Sequence, residues 1–311
     1  MEMEERDAYS NCMLCPRKCG ADRRRSVGFC GMGDRMYIAR AALHMWEEPC
    51  ISGEEGSGTV FFSGCNMGCI FCQNRKISRV SGTHQWTGVP CDAGKLADVM
   101  LHLQEQRANN INLVTPTHFV PSIVEAVRQA RRAGLTIPIV YNSGGYENVE
   151  TLKRLEGTVD IYLPDMKYLD NERAGKYSNA PDYAEHVKAA LDEMYRQVGR
   201  ARYDGRGIMV QGMIVRHLVL PGGFLDSIRV IDYLYERFRD QVTLSLMSQY
   251  TPMEEVLPYP ELRKRVSKRV YDHLIRHVLE LQMENVLIQS GNAAEQSFIP
   301  EFSGEGFLQL K

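Results

Sequence analysis

The sequence has no uninterrupted apolar run of about 18 residues, the length that a membrane-spanning helix requires. Residues Met1–Ser10 are acidic and lack the apolar core of a secretory signal, so we expect no such signal. Lys and Arg total 37 against 39 Asp and Glu, and the net charge of −2 argues against a broad nucleic-acid or membrane surface. The sequence therefore favours a cytoplasmic protein that has neither a nucleic acid nor a membrane as its partner.

Cysteine is absent after position 91, although the chain contains nine cysteines. An odd number in a chain without an expected secretory signal does not suggest a disulfide framework and favours metal or redox chemistry. Most of them fall into two groups: Cys12, Cys15, Cys19 and Cys30, and then Cys65, Cys69 and Cys72. Cys50 and Cys91 stand alone, and the sequence assigns neither of them a role.

From about residue 59, short apolar runs alternate with segments of helical periodicity. The predicted strands are Thr59–Gly64, Ile111–Thr115, Ile137–Ser143, Val159–Leu163, Ile208–Leu220 and Val242–Leu246, with Asn285–Gln289 as a candidate final strand. The last long helix is predicted to begin near Pro260. Such alternation predicts right-handed crossovers and parallel strands, in an open doubly wound sheet or in a complete or partial barrel. Residues 1–55 lack the alternation and are predicted to form a small metal-bearing lobe, with residues 56–311 as the main domain.

The second cysteine group follows the first predicted strand directly, at the edge where parallel β/α folds carry their chemistry. Its spacing, C-x3-C-x2-C, provides three thiolates within one tight turn, whereas ferredoxin-type clusters use four cysteines in other spacings. Three ligands would leave one iron free to bind a substrate. The alternatives are three buried thiols, or a zinc site that a distant histidine completes.

This motif, with Phe71 before its last cysteine, resembles the signature of the radical S-adenosylmethionine (SAM) superfamily. Over nearly its whole length, the chain is similar to the PflX-type branch, the homologues of pyruvate formate-lyase activating enzyme. The segments that carry this similarity are ARAALHMWEEPCISG, GTVFFSGCNMGCIFCQN, INLVTPTHFVP, VDIYLPDMKY, RHLVLPG and SLMSQYTP. The resemblance implies a partial (β/α)6 barrel of the TIM type, with a [4Fe–4S] cluster on Cys65, Cys69 and Cys72 and SAM on the open iron.

The resemblance also implies a reaction. One electron from the cluster would cleave SAM to methionine and a 5′-deoxyadenosyl radical, and a donor such as flavodoxin or ferredoxin would supply that electron. In activating enzymes the radical takes a hydrogen from a backbone glycine of a partner, which becomes a glycyl radical enzyme. The alternatives are radical modification of another peptide, protein or small molecule, a non-catalytic electron carrier with two clusters, and a zinc-stabilised binding module.

Three charged residues at the same edge match positions that hold SAM in related activating enzymes. Asp165 and Lys167 follow the fourth predicted strand as an Asp-x-Lys pair, and Arg216 matches an arginine of the equivalent strand. A carboxylate can accept hydrogen bonds from a ribose or an ammonium group, and a lysine can meet the SAM carboxylate. The alternatives are an ordinary solvated pair for the first two, and pairing with a barrel acid for Arg216.

After the second strand, many relatives carry Gly-Gly-Glu, which contacts the SAM amino group. This chain has Val114–His118 there instead, so Thr115, Thr117 or His118 is expected to take the place of that contact. A lone histidine on a loop is more often solvated or structural than functional.

The end of the third strand also departs from the family pattern, because Asn142 and Ser143 stand where relatives carry an acid. Ser143 is retained as a candidate cofactor contact, and any metal-ion contact at this position is in doubt. His217 is expected to be a core histidine with its hydrogen bonds satisfied. Gln249 and Tyr250, after the sixth strand, are candidates to face the substrate.

The first cysteine group offers four thiolates within a short segment, enough to close a tetrahedral site. On spacing alone, zinc and a second [4Fe–4S] cluster fit it about equally, and Cys50 could replace one ligand. A second cluster is attractive in a protein that must receive electrons. The run Arg23–Arg25 within this segment is expected to be solvated, where it could dock an acidic electron donor.

Overall fold

The computed structural model describes residues 8–78, 86–289 and 302. The predictions for the first residues of the acidic N-terminus, and for most of the C-terminal tail of the predicted 56–311 domain, lie outside this part of the chain. The strands are β1 Met36–His44, β2 Ser57–Phe62, β3 Val89–Cys91, β4 Ile111–Val114, β5 Ile139–Ser143, β6 Ile161–Pro164, β7 Arg202–Tyr203, β8 Met209–Leu218, β9 Thr243–Met247 and β10 Val286–Ile288. The α-helices are α1 Pro49–Ser52, α2 Arg75–Ser78, α3 Ala93–Glu105, α4 Val120–Arg132, α5 Val149–Lys153, α6 Asn171–Ser178, α7 Tyr183–Val198, α8 Phe224–Phe238 and α9 Lys268–Glu280.

The described strands form a sheet in the order β10-β9-β8-β6-β5-β4-β2-β1-β3, with β7 paired to β8 off this path. Strands β2, β4, β5, β6, β8, β9 and β10 are parallel neighbours, whereas β1 and β3 are antiparallel additions at one edge. Within the described residues the sheet is not closed. This arrangement confirms the predicted partial β/α barrel, and β10 confirms the candidate final strand.

The parallel strands are buried because helices cover their outer face while their inner side chains meet in the barrel. Every residue of β2, β4, β5 and β6 is buried. The register aligns one row of buried side chains, which belongs to the same core cluster as the covering helices: Val60, Leu113, Tyr141, Tyr162 and Met213. Helix α4 shows how the covering layer is encoded, since Pro121 lies in its first turn and Ile123, Ala126 and Val127 form its buried face.

Strand β1 lies inside the predicted N-terminal lobe and pairs with β2 across the predicted boundary at residue 55. The sheet therefore begins at Met36. The segment before β1 also packs on the barrel, because the hydroxyl groups of Tyr9 and Ser122 are hydrogen bonded at 2.9 Å. The residues before Met36 are those that carry the first cysteine group.

The predicted start of the last helix near Pro260 is wrong. Residues Pro260–Leu262 form a short 3-10 turn that buries Leu262, and the α-helix begins at Lys268. Ser267 fixes that start, because its hydroxyl accepts a hydrogen bond from the Val270 amide and satisfies a free donor of the first turn. Among the described residues, no helix has the length and apolarity needed to cross a membrane.

Candidate active site

A cavity of about 220 Å³ opens at the carboxyl ends of the parallel strands. The predicted site residues that line it are Cys65, Cys69, Phe71, Cys72, Thr115, Ser143, Asp165, Lys167 and Arg216. They come from separate segments of the chain that meet here because parallel strands bring their carboxyl ends, and the loops that follow, to one edge.

The cysteine loop between β2 and α2 bends at two glycines with positive φ, Gly64 at 89° and Gly68 at 74°. A Cβ atom on Gly64 would lie 2.3 Å from Cγ of Met32 and 2.9 Å from the carbonyl oxygen of Cys30, so only glycine fits there. Within the loop, the Cys69 sulfur accepts a hydrogen bond from the Ser178 hydroxyl at 2.9 Å. The local sequence thus folds tightly and presents its thiols to the cavity.

Burial governs the protonation of these thiols. It raises the pKa of Cys69 to about 12, although the neighbouring Lys167 opposes the shift. Burial also raises the pKa of Cys72, and Cys65 adds to that effect. The thiols of Cys69 and Cys72 are therefore protonated at neutral pH, and a metal group that binds them must displace protons.

The donor set of this loop is soft, and soft thiolates select iron–sulfur clusters, copper(I) or zinc. Within the described ranges, no group of three or more His, Cys, Asp or Glu residues is placed so that it could hold a metal ion. Cysteines of a four-iron cluster bind different irons and do not converge on one ion. Three thiols around a single cavity therefore fit such a cluster by donor type and number.

Asp165 connects the other charged residues of the cavity. Its carboxylate accepts hydrogen bonds from Nζ of Lys167 at 2.5 Å and from Nε of Arg216 at 2.9 Å. Burial alone would raise the pKa of Asp165, but the charges of Arg216 and Lys167 outweigh it, and the pKa lies below its ordinary value. This carboxylate stays ionised and keeps both cations at the cavity wall.

Arg216 has two further partners that the sequence analysis missed. Its guanidinium lies 3.6 Å from a carboxylate oxygen of Glu47 and donates to the side-chain oxygen of Asn142 at 2.6 Å. The alternative of an arginine paired with barrel acids therefore describes the arrangement in this structure. The sequence signal for Glu47 was the pair of adjacent acids in the segment WEEP, since charges buried among apolar neighbours need a partner.

Of the three residues expected to replace Gly-Gly-Glu, only Thr115 lines the cavity. Thr117 is buried and donates from its hydroxyl to Glu147 at 2.7 Å. His118 is buried as well, and its Nε2 is 2.8 Å from the carbonyl oxygen of Ser63. Burial lowers the pKa of His118 to about 3, so its ring is neutral and structural. Thr115 has an unusual φ of 58°, which is strained for a β-branched residue.

Gln249 and Tyr250 line the cavity, in agreement with their predicted position, whereas His217 does not. Both ring nitrogens of His217 have partners, the Met166 carbonyl at 2.7 Å and the Ser227 hydroxyl at 2.9 Å. It is the satisfied core histidine that the sequence predicted.

Gln73 and Asn74 also line the cavity, and the sequence analysis missed both. Their signal was their position, since they follow Cys72 directly in the segment CQN, and a residue next to a cluster ligand is held at the same site.

The first cysteine group lies apart from this cavity. A Cβ atom on Gly28 would lie 3.4 Å from the sulfur of Cys19 and 3.5 Å from that of Cys30, so these two thiols flank Gly28. Cys50 packs elsewhere, against a separate apolar cluster that includes Ile51 and Val140. These positions do not test whether either cysteine group binds a metal. The ligand sets of both groups therefore stay predictions.

The expectation that Arg23–Arg25 is solvated is wrong for its first residue. Arg23 is 1% exposed and donates to the carbonyl oxygens of His118 at 2.6 Å and Gly33 at 2.6 Å. These backbone acceptors, which the sequence does not reveal, draw it into the interior. Arg24 is exposed and pairs with Asp22.

Comparison with known proteins supports the family. Residues 59–210 match the family model of the Radical SAM superfamily. An uncharacterized protein of Methanocaldococcus jannaschii is 29% identical over 268 residues, which cover 84% of this chain and 72% of that protein. The crystal structure of a radical SAM methyltransferase from Sphaerobacter thermophilus matches with a TM-score of 0.53 and 14% identity, over 79% of this chain and 70% of that one.

A further match is the crystal structure of Streptococcus suis SuiB bound to the precursor peptide SuiA, with a TM-score of 0.48 and 12% identity. It covers 74% of this chain and 47% of that one, so the chain spans about half the length of SuiB. The family-model match supports the radical SAM superfamily and the methyltransferase structure shows a shared fold, whereas the PflX-type branch stays a prediction.

Proposed function

We propose that this chain, which matches the family model of the radical SAM superfamily over residues 59–210, belongs to that superfamily and reductively cleaves SAM to start radical chemistry. The observation that carries the proposal is the single cavity at the carboxyl edge of the sheet. It brings the thiols of Cys65, Cys69 and Cys72 next to the charged pair Asp165 and Lys167. One loop there provides sulfur donors for a cluster, and the strands provide polar groups for the ligand that the open iron binds.

Cys65, Cys69 and Cys72 would hold a [4Fe–4S] cluster, which would supply the one electron needed for reductive cleavage of a C–S bond of SAM. The chain positions the cofactor. Lys167 offers a cation to the SAM carboxylate, Asp165 offers an acceptor, and Arg216 keeps that acceptor ionised. Thr115 and Ser143 supply hydroxyl groups on the same wall, and Phe71 contributes an apolar surface.

We further propose an activating role, in which the radical takes a hydrogen from a backbone glycine of a partner enzyme. The resemblance to activating enzymes supports this role. A second cavity adjoins the first, shares Arg216 and Gln249 with it, and is bordered by Met45 and Trp46. Trp46 is 67% exposed, and an exposed aromatic side chain beside an active site suits the docking of a polypeptide. Modification of another peptide, protein or small molecule is the competing substrate class.

The first cysteine group is proposed as a second metal site, with zinc or an iron–sulfur cluster on Cys12, Cys15, Cys19 and Cys30. Burial raises the pKa of Cys15 to about 12, so this thiol, like Cys69, would release a proton on metal binding. A flavodoxin or a ferredoxin is the proposed electron donor.

The test is SAM cleavage by protein reconstituted with iron and sulfide under anaerobic conditions and reduced with dithionite. We expect methionine and 5′-deoxyadenosine in equal amounts from the wild type, and neither product from Cys69→Ala or Cys72→Ala. Cys50→Ala is the matched control, because Cys50 packs against a separate apolar cluster and does not line the cavity, and it should keep wild-type activity. Full cleavage by Cys69→Ala would remove the assignment.

The partner is tested separately. A glycine-containing peptide or a purified candidate partner, deuterated at glycine, should transfer deuterium into 5′-deoxyadenosine. Transfer from a different labelled position would favour the competing substrate class.

A further inference from the structure

The segment that carries the first cysteine group is hydrogen bonded to the cluster loop of the cavity. The backbone amide of Cys65 donates to the carbonyl oxygen of Cys30 at 3.3 Å. The next residue along, Gly31, accepts from the indole nitrogen of Trp86 at 2.8 Å. The close approach that excludes a side chain at Gly64 is to this same Cys30 carbonyl. One hydrogen bond therefore links the backbone of a cysteine in each group.

Arg17 joins the two segments a second time. Its Nε donates to the carbonyl oxygen of Asn66, which lies between Cys65 and Met67 in the cluster loop, at 2.7 Å. Its guanidinium also lies over the ring of Phe29, 4.1 Å from the centroid, on the side of the first group. The two cysteine loops are thus fixed against each other by side-chain and backbone contacts.

Arg23 places a buried positive charge beside the first group. Besides its carbonyl partners, it lies 3.7 Å from the sulfur of Cys12. The ionisable groups that act on Arg23 among the described residues are Cys30, Tyr9 and Cys12, rather than a carboxylate. A buried cation needs an anion, and protonated thiols supply none, whereas thiolates bound to a metal group do. The charge therefore favours an occupied, anionic site over a set of free thiols.

The spacing of the sulfurs distinguishes a cluster from a single ion. Zinc, with Zn–S bonds of about 2.3 Å, requires its sulfurs within about 4 Å of one another. Cys12, Cys15, Cys19 and Cys30 all lie in the described part of the chain, and there no group of three or more His, Cys, Asp or Glu residues is placed so that it could hold one metal ion. A Cβ atom on Gly28 would contact the sulfurs of Cys19 and Cys30, at 3.4 and 3.5 Å, so glycine leaves the space beside both sulfurs free. This arrangement suits a bulky inorganic core.

We propose that Cys12, Cys15, Cys19 and Cys30 hold a second [4Fe–4S] cluster that relays electrons to the cluster of Cys65, Cys69 and Cys72. The proposal rests on the proposed function, since only a reductive reaction needs such a relay. A low-potential flavin or iron–sulfur protein gives one electron to the second cluster and is oxidised by one electron. That electron passes to the cavity cluster through the link from Cys30 to Cys65, and no bond changes until it reaches SAM.

Two variants isolate the two clusters. In Cys12→Ala/Cys19→Ala, the first group loses two ligands while the cavity residues stay unchanged. In Cys65→Ala/Cys69→Ala/Cys72→Ala, only the first group remains. Anaerobically reconstituted wild type should contain about eight irons per chain, and each variant about four with matching sulfide, since each [4Fe–4S] cluster holds four. Cys50→Ala should match the wild type.

The kinetic test compares two reductants. With dithionite, a small molecule that reaches the cavity cluster directly, Cys12→Ala/Cys19→Ala should still cleave SAM. With a reduced ferredoxin, its rate should fall by an order of magnitude or more relative to wild type. In the triple variant, the remaining cluster should be reduced by the ferredoxin at the wild-type rate, measured by its visible absorbance without SAM.

Each other outcome has a distinct meaning. Zinc instead of iron in the triple variant, or equal ferredoxin-driven rates in wild type and Cys12→Ala/Cys19→Ala, would overturn the relay and leave SAM cleavage intact. Loss of iron from both sites in Cys12→Ala/Cys19→Ala would show a structural defect, and the reduction of the triple variant then decides the question. Failure of the wild type to cleave SAM even with dithionite would overturn the proposed function itself.

Discussion

The two cysteine groups differ in what surrounds them. The group at Cys65–Cys72 faces a cavity whose charged residues, Asp165, Lys167 and Arg216, belong to other strands. The thiols of the group at Cys12–Cys30 do not line that cavity, and the cation beside them, Arg23, is buried against backbone carbonyls. Both groups have closely spaced thiols, yet one stands open to a ligand at a charged cavity, whereas the other has three buried thiols and one exposed thiol, Cys19.

This difference predicts that the two cysteine groups have different roles. A cluster with three protein ligands and an adjacent cavity can bind and transform a small molecule. A cluster with four ligands has no position for a substrate and can only store or pass electrons. The local sequence sets the number of thiols, but the barrel determines which group lines a cavity, because of the two cysteine segments only the loop after β2 lies at the carboxyl edge of the sheet.

The largest effect should come from removing the cation beside the first cysteine group. Arg23→Met should lower the free energy of unfolding by about 4 kcal/mol, because three buried carbonyl oxygens lose their donor, and the first group should lose iron. The measurements are the thermal midpoint and iron content of the anaerobic holoprotein. Arg24→Met, at an exposed position, is the control. Equal thermal midpoints for Arg23→Met and Arg24→Met would mean that the buried contacts of Arg23 do not stabilise the folded protein.

A smaller effect should come from Glu147, which is buried and accepts hydrogen bonds from the hydroxyl groups of Thr117 and Tyr141. Burial raises its pKa from 4.5 to about 7. Between these values the folded state binds the proton more tightly than the unfolded state, so stability is full below pH 4.5 and falls as pH rises through 7. The loss amounts to roughly 3 kcal/mol.

Glu147→Gln should abolish that dependence and raise the thermal midpoint at pH 8 relative to wild type. The control is Glu150→Gln, which changes an exposed acid that pairs with Lys153. The measurement is thermal unfolding of the wild type and both variants, as anaerobic holoprotein, from pH 5 to 8. If wild type and Glu147→Gln give parallel curves, Glu147 is ionised in the folded protein.

The open group is tested through Asp165. Asp165→Asn should weaken SAM binding by roughly tenfold, about 1.4 kcal/mol, because Lys167 and Arg216 lose the anion that holds them at the wall. Iron content should stay at the wild-type value, since Asp165 is not a predicted ligand. Equilibrium binding of SAM to the reconstituted protein measures the effect, and Asp192→Asn at an exposed ion pair is the control. Unchanged affinity would assign Asp165 a purely structural role.

Much of the fold was predictable because strand and helix periodicities are local signals. The runs Ile111–Thr115 and Ile137–Ser143 match β4 and β5 within two residues at each end. The start of α9 was not predictable from periodicity, because Leu262 continues the apolar pattern although its backbone forms a separate 3-10 turn. Strand β1 was missed because its pairing with β2 is a tertiary contact.

The site was predictable where one motif carries the chemistry, as at Cys65–Cys72. The site was not predictable where several residue types could make the same contact. Sequence reasoning proposed Thr115, Thr117 and His118 together, and only backbone geometry separates them, since the 3-10 turn at Thr117–Phe119 turns the last two into the interior. Glu47 was missed because it reaches Arg216 from a distant part of the chain.

The smallest predicted effect concerns the strain at Thr115, where φ is 58° at the cavity wall. Thr115→Gly should stabilise the protein by about 0.5 kcal/mol, because glycine adopts positive φ without steric cost. Thr117→Gly should do the opposite, since it removes a buried hydrogen bond to Glu147. If Thr115→Gly is more stable but binds SAM less tightly, the strained backbone at Thr115 contributes to SAM binding. If the SAM affinity of Thr115→Gly is unchanged, Thr115 does not contact the cofactor, and the strained turn serves only to join β4 to α4.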